Sequence, residues 1–230
     1  MSARFALPLR MLARDWRAGE LRILAAALVV AVSAVTSVAF FADRVRQGLV
    51  RDAHQLLGGD VLLVADKPWP DAAREEIARR GLARAEATWF ISMTRHGEAA
   101  HLTGVKAVTE NYPLRGRMRV ADAPNVPDRP TARGPEPGTV WLDERLFGLL
   151  GVRVGDSIEL GDARLRVAAV LTLEPDRGAS FFNLAPRVLM SRADVAATGL
   201  VQTGSRVYYY LLAAGAAGLR HRRRDPARLR

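Results

Sequence analysis

The sequence predicts an α+β protein, one N-terminal transmembrane helix followed by a mixed extracytoplasmic domain, and three observations predict it. Ile23 to Phe41 contains neither a charge nor a proline. Beyond it, strand-like and helix-like stretches follow one another without regular βαβ alternation. Between them, residues 121–138 hold Pro124, Pro127, Pro130, Pro135 and Pro137 and show no apolar period, the pattern of a loop dividing two subregions rather than of an element.

The first element is an amphipathic segment, residues 1–20. Phe5, Leu9, Leu12 and Trp16 fall on one side among arginines, which suits a helix lying on the cytoplasmic face of a membrane, with Pro8 limiting its regularity. The span comes next, with its stalk, over residues 21–57. Its 19 uncharged residues would make about 28 Å of helix, close to the roughly 30 Å hydrocarbon core of a bilayer. Ten strongly apolar residues among them supply at most about −4 kcal/mol of insertion free energy. A soluble core helix would show a polar face, and this run shows none. A cleaved signal peptide is the closer rival, since Ser37-Val38-Ala39 could pass for a cleavage site. Against cleavage stand the long segment before the run, its length beyond the usual 7 to 15 residues, and bulky Phe40-Phe41 after the cut. Five arginines precede the span, and Arg44, Arg46 and Arg51 follow it closely. That bias places the N-terminus in the cytoplasm and the main domain outside.

The extracytoplasmic domain is expected over residues 58–217. Helical periodicity through Val45, Leu49, Leu56 and Leu57 stops at Gly58-Gly59, a C-terminal signal. "DVLLVAD" reads as a buried strand and "DAAREEIARRG" as a short surface helix ended by Gly81. Two strands flank His96-Gly97-Glu98; "TVWLD" and "ERLFGLLG" give a strand and a helix. Two more strands meet at Gly161-Asp162, where glycine in the first turn position suits a type II′ hairpin. In the second of them Leu165, Val167, Ala169, Leu171 and Leu173 are expected on one face. "RVLMS" is a strand, "SRAD" opens a helix with a capping box from Ser191 to Asp194, and "SRVYYYLLAAG" is the last strand.

The net charge of +10 suggests nucleic acid until it is located. Residues 1–22 carry a surplus of three positive charges and residues 220–230 a surplus of five, leaving two for everything between. A folded middle so close to neutrality offers no basic groove for nucleic acid. Lys67 and Lys106 are the only lysines; a skew toward arginine with abundant alanine and glycine follows from GC-rich coding and weakens any argument from arginine alone. With no cysteine there is neither disulfide nor thiolate site.

Candidate chemistry is sparse. "GDSI", Gly155 to Ile158, resembles the nucleophile motif of GDSL-type hydrolases, but no Asp-x-x-His follows, and Gly155-Asp156 reads as a turn before a strand. No G-x-x-x-x-G-K-[ST] occurs, so ATP hydrolysis through a P-loop is not expected of this chain. His96 and His101 show no metal-ligand pattern. "EPDRGASFFNLAPR", Glu174 to Arg187, reads as a loop gripping a partner or substrate, or equally as a turn with two core aromatics. Ala27/Ala31 and Ser33/Ser37 carry the small-xxx-small spacing that admits a neighbouring membrane helix. No catalytic, cofactor-binding or metal-binding residue is assigned, and no cofactor is expected.

Several stretches together resemble one family. "RDWRAGELRIL", "SVAFFADRV", "LLGGDVLLVADKPWP", "YPLRGRMRV", "VWLDERLFGLLGVRVGDSIELGDARLRVAAVL", "EPDRGASFFNLAPRVLM" and "ATGLVQTGSRVYYYLLAAG" look like the FtsX-like permease subunits of ABC transporters. More narrowly, they resemble permeases that begin with a MacB-type extracytoplasmic core domain. The resemblance implies a non-enzymatic protein of the bacterial cytoplasmic (inner) membrane. A separate ABC ATPase subunit would drive it, with other transmembrane helices or a second permease copy and membrane lipid as partners, and no nucleic acid. Motion relayed to the exterior domain would export or extract a lipid, lipoprotein or similar cargo. The alternative is a single-span anchored extracytoplasmic binding module not coupled to transport. Such permeases continue into further spans. Here Val207 to Leu219, thirteen uncharged residues, would make only about 20 Å of helix, and "GLRHRRRDPARLR" reads like a shifted frame. The expectation is the N-terminal part of a truncated or frameshifted permease with a disordered basic tail at 218–230, against a genuine tail that binds anionic lipid or nucleic acid.

Overall fold

The computed structural model describes residues 19–177, 185–202 and 204–215. They fall into two units, one up to Arg51 and one from Asp52 onward. The amphipathic segment expected at 1–20, but for its last two residues, and the basic tail at 218–230 lie outside the described residues.

Helix α1 runs Glu20–Leu56. Its apolar stretch has no proline and no glycine before Gly48, so nothing interrupts the ladder over 37 residues, about 55 Å at the usual rise. From Leu21 to Gly48 the mean hydropathy reaches 2.5 and no protein covers the most apolar window. Ile23 and Phe41, near its two ends, are 73% and 69% exposed. This helix is long and apolar enough to cross a membrane. The charged residues begin again at Asp43, and the Arg44 guanidinium lies 5.1 Å from the centre of the Phe40 ring, where an apolar body with a charged neighbour suits an interface.

The second unit is built on strands β1 (Val61–Ala65), β2 (Ala83–His96), β3 (Ala99–Val108), β4 (Met118–Ala121), β5 (Arg129–Thr131), β6 (Thr139–Asp143), β7 (Ser157–Leu160), β8 (Ala163–Leu173), β9 (Arg187–Ser191) and β10 (Tyr208–Ala214). Among the described residues two α-helices join them, α2 (Asp71–Arg79) and α3 (Glu144–Leu150). The pairings β2–β3, β3–β9, β9–β6, β6–β8, β8–β7 and β7–β2 form a ring. Six strands thus close into a barrel, with the last seam made by Thr94↔Leu160 and Arg95↔Glu159 alone. The interior is packed: Val105, Val140, Leu142, Ile158, Leu160, Val167, Val188 and Met190 are fully buried in one cluster, and α3 adds Leu146, Phe147 and Leu150. Each such side chain contributes about 1.5–3 kcal/mol relative to exposure. A polar pair inside is satisfied locally, Thr94 Oγ1 lying 2.7 Å from Thr103 Oγ1, which donates to the Ser92 carbonyl.

Outside the barrel, β10 and β1 extend the sheet from β2, and β4 and β5 extend it from β8. A second core of Ala87, Tyr112, Met118, Ala169, Leu171, Leu189 and Leu212 packs on the outer wall. Strands β3 and β9 are therefore covered on both faces, and so Gly104 to Val108 is buried without interruption. Helix α2 covers β10 with Ile77 against Leu211 and Ala213.

The α+β class is as predicted, and five local expectations are corrected. "DVLLVAD" does form β1, but as an edge strand whose Val61 and Val64 are 49% and 52% exposed, because only β10 pairs with it. In β8 the expected single face is broken. Val140 pairs with Val167 but Trp141 with Ala169, so Ala168 is an extra residue, and a bulge inverts the alternation. Leu165, Val167 and Val170 consequently fill the barrel, whereas Ala169 and Leu171 join the outer core and Leu173 is half exposed. "SRAD" opens only a 3₁₀ turn, Arg192–Asp194. Ser191 accepts from the Ala193 amide, but Asp194 turns away to accept from the Gly138 amide at 2.8 Å, so there is no capping box. Inside the proline-rich stretch a short strand forms, β5. The interior core also draws on both sides of that stretch, Val105 packing with Val140. The hairpin at Gly161-Asp162 is as expected: Gly161 has φ 59° and Asp162 is not among the residues with positive φ, the signature of type II′ rather than I′.

Candidate functional site

Five side chains gather between β3, β8 and β9 on the outer barrel wall. Lys106 lies on β3, whose alternation points even residues outward into the second core. Its Nζ donates to Glu174 Oε1 at 2.7 Å, to both Asp176 oxygens at 2.7 Å and to the Tyr112 hydroxyl at 2.8 Å. The same ammonium sits 4.5 Å from the Tyr112 ring centre. The Tyr112 hydroxyl donates to Asp176. Arg187, at the start of β9, pairs with Glu174 at 3.0 Å, and Arg177 pairs with Asp143 at 2.7 Å. Glu174 and Asp176 leave β8 on one side of residues 178–184 and Arg187 enters β9 on the other, so this cluster ties both ends of that connection to the barrel.

The electrostatics follow from burial opposed by charge. Burial works against ionisation of Glu174, yet Lys106 and Arg187 hold its carboxyl at about 2. Asp176 goes the other way: burial and the neighbouring Glu174 charge raise it despite Lys106. Burial, with Asp176 and Glu174, pushes the Tyr112 phenol well up, so it stays a donor. Desolvation opposes the Lys106 charge, but the two carboxylates outweigh it and raise its pKa. Two cations against two carboxylates make a buried, mutually compensated set. Such sets hold a conformation, and breaking one partner is strongly destabilising.

Of the residues singled out in the sequence, Glu174, Asp176 and Arg187 come together here, while Gly178, Phe181 and Phe182 lie outside the described residues. Lys106 and Tyr112 were missed; the only signal was a lysine inside an otherwise apolar run, "GVKAV". "GDSI" is a turn: Asp156 Oδ2 accepts from the Arg153 amide at 2.8 Å, and Ser157 begins β7. The Ser157 carbonyl faces His96 Nδ1 at 2.9 Å, which ties the β2–β3 hairpin to the seam. Among the described residues no three His, Cys, Asp or Glu are grouped as a metal site.

Residues 23–218 match the MacB-like periplasmic core domain. The chain belongs to that family. Over 194 residues it is also 38% identical to a protein of Escherichia coli (strain K12) described as an ABC transporter permease, YbbP, a match covering 84% of this chain. The chain spans 23% of the length of that relative. In this MacB-like domain, then, the family match takes in the greater part of α1 together with the barrel, both cores and all five residues of the charge cluster.

Proposed function

We propose that this chain is the membrane-anchored N-terminal portion of an ABC transporter permease. Residues 21–57 form the span and stalk, and residues 58–217 form a domain on the exterior of the bacterial inner membrane. A separate ATPase drives the assembly, and motion passes through membrane helices to the exterior domain, which handles a lipid, lipoprotein or similar cargo. One observation carries the reading: a helix apolar over Leu21–Gly48 and covered by no protein leads into a folded domain of a periplasmic family. The relative's description as an ABC transporter permease supports the transport role. The missing P-loop motif agrees with an ATPase supplied by another subunit.

Topology is the test. A reporter active only outside the cytosol, fused after Glu98, is expected to be active, and one active only in the cytosol to be silent; the reverse result would overturn the proposal. Coupling is tested separately, in the full-length permease, by co-purification with its ATP-binding subunit.

A further inference from the structure

The end of the barrel where β3 and β9 finish and β6 begins opens into a groove of about 1160 Å³. Val108, Ser191, Thr139 and Arg166, on four successive strands, share this rim. One wall is the turn before β6. It packs close because residue 134 is glycine: a Cβ there would come within 2.8 Å of a Val108 methyl and 3.2 Å of the Thr109 carbonyl. The wall is tied on one side by the Gly134 amide donating to the Glu110 carbonyl. On the other side the Gly138 amide donates to Asp194.

The lining has two characters. Trp141, Val195 and Val201, each partly exposed, give an apolar surface with the buried Val120 behind it. Around it stand Arg129, Arg133, Arg166 and Arg192, against Glu110 and Glu136. Three of these arginines are engaged: Arg129 with Asp122, Arg133 with Glu110 at 3.6 Å, and Arg192 with Glu86 at 3.0 Å. Arg166 is exposed and pairs with no carboxylate of the described residues. The bulge at Ala168 turns the strand just beyond it, so Trp141 lies opposite Ala169 while Arg166 lies opposite Thr139. A planar aromatic floor and an unengaged guanidinium are thereby placed on the same outer face of one strand pair.

We propose that this groove binds an anionic amphiphile, its carboxylate or phosphate head on Arg166 and its acyl or aryl body along Trp141. Arg129, Arg133 and Arg192 are offset by their own carboxylates, so the Arg166 guanidinium sets the charge of the head it takes, and a guanidinium suits carboxylate or phosphate in two-pronged contact. The volume, about 1160 Å³, lies just above the roughly 300–1,000 Å³ of small-molecule sites, large enough for an extended tail. An acidic peptide is the poorer occupant. The strand edge nearest the groove is β5, only three residues long, and its Pro130 brings no N–H to a peptide ladder. This inference concerns the groove alone and stands whether or not the chain is coupled to an ATPase.

The test uses the full chain in zwitterionic lipid nanodiscs, titrated with octyl phosphate and corrected with empty discs. Inorganic phosphate serves as the head without a tail and octyl glucoside as the same tail with an uncharged head. Octyl phosphate is expected to bind at least tenfold more tightly than either control. Arg166→Ala should weaken it about tenfold, Arg166→Lys less, and Trp141→Ala should weaken octyl phosphate without changing inorganic phosphate. Arg95→Ala, a surface arginine of β2 that does not line the groove, should change nothing. Circular dichroism and thermal unfolding show whether each variant is folded; Arg166 is exposed and can be replaced without opening the core. Equal binding by wild type and Arg166→Ala would overturn the proposal, as would equal affinity for octyl glucoside. Displacement of octyl phosphate by an acidic peptide at lower concentration would overturn it in favour of a peptide site.

Discussion

Lys106 shows most clearly what a single residue holds together here. Its ammonium bridges two carboxylates that the outer core hides from water, and Arg187 supplies the second positive charge. Lys106→Met would strand Glu174 and Asp176 without their shared cation, and the expected loss is about 3–5 kcal/mol, read as a lowered urea midpoint for the reconstituted chain. The pH response has a definite sign. Glu174 and Asp143 titrate at about 2 in the fold, against ordinary values of 4.5 and 3.8. For Asp143, burial opposes the shift and Arg145 and Arg177 overcome it. As pH falls from about 4.5 toward 2 the unfolded chain takes up protons first, so stability from these groups is full above that window and is lost through it. Asp176, raised in the fold, offsets part of that gain. The urea midpoint should therefore drop between pH 5 and pH 3, and Glu174→Gln should flatten the drop. Gly161 is the other sensitive position. A Cβ there would collide with the Thr198 carbonyl oxygen and crowd Leu200, at a φ of +59°. Gly161→Ala should cost at least about 1 kcal/mol, seen as a lower thermal midpoint.

At the level of elements, the membrane helix was the most legible part. Nineteen uncharged residues leave little room for another reading, and α1 follows. A charge at its centre tests its environment. Val32→Arg would add about 2.5–3.5 kcal/mol to insertion at mid-membrane, so a smaller share of the protein should be recovered in the membrane fraction. The strands were legible too, wherever alternation or a turn glycine marked them. What period-2 patterning could not show was where a strand changes face: the Ala168 bulge leaves no trace in the sequence because alanine fits either side. Nor could it show that β1 is an edge, since an apolar run reads the same with one neighbour or two. Ser191-Asp194 satisfied a local capping pattern, but the Gly138 amide, from the turn before β6, competed for the carboxylate and won.

For the molecule as a whole, the sequence disclosed mixed α+β structure but not barrel closure, because closure rests on pairings between residues far apart in the chain. The seam is short, two residue pairs, while the interior is filled by large apolar side chains. Packing more than strand pairing therefore keeps the ring shut. Leu160→Ala, which removes a fully buried side chain beside the seam, should cost about 2–5 kcal/mol. It should also speed hydrogen exchange at Thr94 and Arg95 more than in β10. The buried charges were invisible for the same reason: Lys106 and Glu174 are 68 positions apart, and no local spacing announces such a meeting.

Strand β10 lies between β1 and β2, with Leu212 opposite both Leu62 and Ala85. During synthesis, the first strand to leave the ribosome must wait about 150 residues for the neighbour that will flank it. Until then its backbone is unmatched on both sides, and under the proposed topology the part of the chain after the span would cross the bilayer with that strand bare. Late arrival of one segment thus governs when the domain can become native.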